Sequence, residues 1–200
     1  MNLTGRRART FLLTLQIAAG VLGFTRVGRG EVQIERIFMP SNAYPSSFAI
    51  GLPGGMNFCF DPVRGGVSYA WTGGFIDPSS ARNGIGKFVD AVKLLGPVVY
   101  QESGRAPLRR GDISRVPVIG FTGYTLHADA VEFRYTVDGV AVREEIRARA
   151  NGTALERRLH IEGSSDAKWW YVVEGRPPVE LRPEAGGVFL VEIPLAKAAP

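Results

Sequence analysis

Between residues 131 and 137, Val131, Phe133, Tyr135 and Val137 alternate with Glu132, Arg134 and Thr136. Successive side chains of a strand point to opposite faces. The alternation therefore predicts an antiparallel strand with one face on a core and one in water. Asp138-Gly139 follows, and Val140 and Val142 open a return strand. Both turn residues tolerate the positive φ that a two-residue type I′ hairpin requires. Asn151-Gly152 marks a second such turn before 154–161, where Leu155, Leu159 and Ile161 share one face. Segments 131–137, 140–148 and 154–161 are thus expected to form a meander. On its other face Arg143, Glu145, Arg147 and Arg149 oppose Glu156, Arg158 and His160, a pattern that predicts cross-strand ion pairs in water.

The same reading places strands at 32–38, 48–52, 56–60, 66–71, 98–101, 116–121, 124–128, 169–173 and 188–193, with turn residues between them. Many short strands and scarce helical periodicity predict an all-β domain, an antiparallel β-sandwich. Two stretches interrupt the pattern. Residues 72–90 are rich in Gly, Ser and Asn, with room for a short helix at 85–92. A loop of that length in a compact sheet protein points to a functional role. Residues 102–114 form a second polar loop carrying Arg105, Arg109 and Arg110.

Charge changes the picture only at the N-terminus. The formal net charge is +5, but five of the 24 Lys and Arg (Arg6, Arg7, Arg9, Arg26 and Arg29) lie in residues 1–30, and all 19 Asp and Glu follow Gly30. The body is formally neutral, so no basic stripe is left to bind nucleic acid. Arg6, Arg7 and Arg9 precede an apolar run over 11–24, and Gly28-Arg29-Gly30 offers small residues before a cut. This is the pattern of a secretory signal peptide, residues 1–30, followed by one domain over 31–200. Fourteen helical residues rise about 21 Å, short of a ~30 Å bilayer core. The chain is therefore expected in a bacterial periplasm or outside the cell, with no membrane span unless the leader stays uncleaved as an anchor.

Candidate chemistry is sparse. The single cysteine, Cys59, sits between Phe58 and Phe60 and reads as a buried, inert thiol. The two histidines, His127 and His160, lie on strand positions with no metal-ligand spacing around them. No haem-attachment motif and no phosphate-binding glycine loop occur, so no cofactor or metal is expected. Aromatic residues are the remaining lead. Trp71 and Tyr69 share a strand face, Phe75 and Asp77 follow, and Trp169-Trp170-Tyr171 forms a second cluster in which one tryptophan must face outward. Rings with a neighbouring acid suit a sugar, so Trp71, Phe75, Asp77, Trp169, Trp170 and Tyr171 are candidate ligand- or partner-binding residues; core packing is the competing role.

The stretch Gly51-Leu52-Pro53-Gly54-Gly55-Met56-Asn57-Phe58, then Phe60-Asp61, then Trp71-Thr72-Gly73-Gly74-Phe75-Ile76-Asp77, then Leu94-Leu95-Gly96-Pro97 resembles a β-rich accessory domain of large secreted c-type cytochrome proteins of planctomycete- and verrucomicrobium-like bacteria. In those proteins the domain is often joined to a sugar-dehydrogenase-like propeller and a haem domain. The resemblance spans roughly residues 45–175, with Trp71–Asp77 its most specific part. It implies a sandwich of the mutarotase-like supersandwich type and no catalytic residues to carry over. The expectation is an exported, non-enzymatic accessory subunit or interaction domain of a c-type cytochrome or sugar-oxidising dehydrogenase. A carbohydrate-binding module that takes a polysaccharide is the alternative. A mutarotase-like enzyme would need His127 or His160 to meet a carboxylate in one cleft.

Overall fold

In a computed structural model the described residues are 30–195, apart from 42, 84–89, 103, 164–166, 174 and 185–186. The leader, most of the expected 85–92 helix and the C-terminal tail fall outside them. In chain order the strands are β1 (Gln33–Arg36), β2 (Phe48–Leu52), β3 (Met56–Asp61), β4 (Gly66–Thr72), β5 (Ile76–Asp77), β6 (Lys93–Leu94), β7 (Val98–Gln101), β8 (Leu108–Arg110), β9 (Ile119–Leu126), β10 (Ala130–Val137), β11 (Val140–Ala148), β12 (Ala154–Ile161), β13 (Trp169–Tyr171), β14 (Val179–Leu181) and β15 (Val188–Pro194). One short helix, α1 (Ser79–Asn83), lies between β5 and β6.

The chain folds as an all-β antiparallel sandwich. One five-stranded sheet has the order β1-β2-β3-β4-β7 and the other β15-β12-β11-β10-β9. Phe48, Phe58 and Phe60 from the first sheet meet Phe133, Tyr135, Ile146 and Leu159 from the second. The Phe60 and Phe133 rings stack with centroids 3.7 Å apart. A small sheet of order β14-β13-β8 adds Leu108, Trp169, Tyr171 and Leu181 to the same core.

The two large sheets carry different sequence patterns for a physical reason. In β10 and β12 buried and half-exposed positions alternate, because one face is solvated. In β2, β3 and β4 nearly every residue is buried, because both faces are covered. The outer face of that sheet carries Ala49, Cys59, Tyr69 and Trp71, which pack against Met39, Ile76 and Val92 from the flanking segments. The described parts of the 72–90 stretch thus lie against the back of a sheet rather than forming an open loop.

The turns and edges show where the sequence reading was too coarse. Asp138 and Gly139 both have positive φ, 49° and 82°, as the type I′ turn requires. At Asn151-Gly152 only Gly152 has positive φ, and the strands end at Ala148 and restart at Ala154. This connection is longer than two residues, and the Asn151 carboxamide oxygen closes it by accepting from the Thr153 N–H at 3.1 Å. Segments 116–121 and 124–128 merge into the single strand β9. A register shift opposite Arg134 and Tyr135 absorbs Thr122.

Candidate functional site

The residues that carry the Trp71–Asp77 motif form a clasp. The Asn57 carboxamide nitrogen donates to the carbonyls of Gly55, Gly73 and Gly74 at 3.3, 3.3 and 3.2 Å. The indole nitrogen of Trp71 donates to the carbonyls of Gly74 and Phe75 at 3.1 and 2.9 Å. The Gly74 N–H donates to Leu95 at 2.8 Å, and the Thr72 N–H to Pro97 at 3.2 Å. Phe75 lies nearly parallel to Trp71, with centroids 6.4 Å apart. Asp77 accepts from the Ser79 N–H at 2.9 Å at the start of α1, and these Ser79 hydrogen bonds hold its carboxyl below the usual range. Asp61 tightens the β3–β4 turn by accepting from Val63 N–H at 2.9 Å. Trp71 is fully buried, and beneath the clasp burial pushes the Cys59 thiol up to about 12.

The second aromatic cluster divides as strand geometry demands. Trp169 and Tyr171 are buried and Trp170, on the opposite face of β13, is half-buried. Tyr171 leads to a feature that the sequence reading missed. Glu144 and Arg157 are fully buried and paired, with Arg157 Nε donating to Glu144 Oε1. Tyr135 donates its hydroxyl to Glu144 Oε2 at 2.7 Å. Arg157 Nη1 donates to the Tyr171 hydroxyl, which donates to Glu102 Oε1 at 2.7 Å. Tyr100 donates to the same Glu102 oxygen. A string of two carboxylates, one guanidinium and three phenols thus links β10, β11 and β12 to β13 and to the end of β7.

The string works by mutual compensation. Burial opposes the charge of Arg157, but Glu144, Tyr171 and Tyr135 together outweigh it and hold the guanidinium protonated, its pKa raised well above the ordinary range. Burial raises Tyr171 and Tyr135 well above the usual phenol range, so they act as donors. Burial also raises Glu102 above its ordinary 4.5, against the pull of Arg157 and the two phenols. Between those two values the folded state binds more protons than the unfolded state, so this group's contribution to stability falls as pH rises through its folded pKa. Glu102→Gln removes that slope. Urea melts from pH 4 to 8 should show the variant gaining on the wild type as pH rises. A difference that does not change with pH would contradict the assignment.

A cavity of about 210 Å³ opens beside the string, between β14 and β15. Tyr100 and Tyr171 line it, with Val179, Leu181, Leu190 and Arg176 around them. Shallower depressions lie elsewhere, one of them, of about 590 Å³, beside Trp169 and Phe189. Another, of about 460 Å³, is lined by His160 with Glu132, Arg143, Glu145 and Glu184 on the outer face of the meander. A third, of about 1140 Å³, is lined by His127, Asp129, Arg147 and Arg149 near Gly30. The two histidines therefore serve separate surfaces. An expected cross-strand ion pair is present on the outer face of the meander, Arg147 to Glu156 at 3.1 Å, and Glu156 also pairs within its own strand with Arg158 at 2.8 Å.

No family model, curated protein or solved structure matches the chain. Among the described residues no cluster of three His, Cys, Asp or Glu is placed to hold a metal, and no helix is long and apolar enough to cross a membrane.

Proposed function

We propose that the protein is an exported, non-enzymatic β-sandwich that acts as an accessory subunit or interaction domain of a periplasmic c-type cytochrome or sugar-oxidising dehydrogenase. One observation carries this reading. The residues behind the family resemblance, Asn57, Trp71, Gly73, Gly74, Phe75 and Asp77, hold the clasp together, while the outer face of the second sheet stays open and interleaves Arg134, Arg143, Arg158 and His160 with Glu132 and Glu145. A mixed-charge face favours a partner with the complementary pattern and rejects others. Affinity purification of the tagged full-length chain from its native envelope should bring down a haem-bearing or dehydrogenase chain in stoichiometric amount. Arg143→Glu with Arg158→Glu should cut recovery at least about tenfold, since two reversed rim charges act on the same interface. Recovery of the chain alone overturns the proposal.

A carbohydrate-binding module is the second reading. It is supported by the depression at His160, where donors and acceptors sit beside Leu190, which is 37% exposed. Retardation of the purified chain in a gel containing a polysaccharide, lost in Arg143→Ala, would favour it.

A further inference from the structure

We propose that the cavity between β14 and β15 binds a small carboxylate with a short apolar body, of about seven non-hydrogen atoms. At about 30 Å³ for each water-sized group, the 210 Å³ of the cavity sets that size. Its walls are hydrocarbon: Val179 and Leu181 from one strand, Leu190 and Ile193 from the other, with Val173 and Pro177 beside them. Its polar groups are nearly all engaged. The Tyr100 and Tyr171 hydroxyls are given to Glu102, and Glu192 is paired with Arg149 at 3.1 Å. Arg176 is the exception. It is exposed, takes part in no ion pair among the described residues, and lies close enough to Tyr100 for its charge to act on that phenol.

A guanidinium beside an apolar pocket fits the carboxylate end of an amphiphile, because the charge-assisted fork pairs both oxygens while the hydrocarbon leaves water. A cationic ligand would meet Arg176 directly and find the nearby carboxylates already paired. The charge of Glu102, behind the phenols, is offset by Arg157, whose Nη2 is buried without a hydrogen-bond partner. The site borders the outer face proposed for partner docking at Leu190, which lines both, but it does not depend on that reading.

Isothermal titration of the full chain with pentanoate, with pentanol and pentylamine as neutral and cationic counterparts, tests the proposal. Pentanoate should bind saturably at about 1 mM or below, in line with the affinity that so few atoms can supply. Arg176→Gln should weaken pentanoate about tenfold or more while leaving pentanol unchanged. Val179→Trp should block both, and Val179 is 58% exposed, so the larger ring is accommodated without disturbing the core. Unchanged melting curves confirm that both variants fold. The proposal fails if pentanoate shows no saturation, if pentylamine binds as tightly, or if either substitution leaves pentanoate affinity unchanged.

Discussion

Arg157→Met is expected to cost about 3–5 kcal/mol, the range for removing one partner of a buried ion pair. For a domain whose whole stability is about 5–15 kcal/mol, that is enough to leave much of the population unfolded at modest denaturant. Arg157 sits on the core face of β12 between Leu155 and Leu159, and its side chain has no exposed surface. Methionine fills a similar volume, so the loss is electrostatic rather than a cavity. Glu144 would keep only the Tyr135 hydroxyl, and Tyr171 would lose its donor. Adding Glu144→Leu should recover about half of the loss, because an apolar pair avoids the desolvation penalty but leaves Tyr135 without an acceptor. Urea unfolding at pH 7 of the three variants decides it. A loss below about 1 kcal/mol in Arg157→Met would mean that water already reaches Glu144.

The parity of the strands made half of this string readable. Val142, Glu144 and Ile146 share one face of β11, and Leu155, Arg157 and Leu159 one face of β12. An acid and a base at inward positions on hydrogen-bonded neighbours predict a buried pair. Attention to the outward charges, which the structure does pair across strands, hid that signal. The other half was not readable. Glu102 reaches Tyr171 across 69 residues, through the placement of a separate small sheet. The three strands of that sheet, β8, β13 and β14, are three residues each, too short to show a period. The meander, by contrast, was readable almost to the residue, because its pattern is local and its first turn is fixed by Asp138-Gly139. For the clasp, the sequence showed that Tyr69 and Trp71 share a face, but not what covers it. Covering depends on Gly73, Gly74 and Leu95 meeting through backbone hydrogen bonds that no side-chain pattern encodes.

Trp71→Ala should cost about 3–5 kcal/mol, the range for deleting a buried aromatic side chain, and should open the clasp. The indole fills the outer face of the first sheet beside Tyr69, and its N–H ties down the Gly74 and Phe75 carbonyls. Gly96→Ala attacks the same structure from the opposite strand. A Cβ there would lie 1.7 Å from the Thr72 carbonyl oxygen, a backbone atom that cannot rotate away. The segment around Leu95 and Gly96 would have to lift, and the hydrogen bond from the Gly74 N–H to Leu95 would go with it. Both substitutions remove one set of contacts, so the double variant should cost less than the sum of the single ones. Cys59 supplies a local readout. Buried under the clasp with its thiol pushed up to about 12, it should resist a thiol reagent at pH 8 in the native protein. In Gly96→Ala it should react at least about tenfold faster, because each 1.4 kcal/mol taken from the opening free energy multiplies the open population by ten. Labelling no faster than the wild type, in a variant that still folds, would show that the clasp does not govern access to this face.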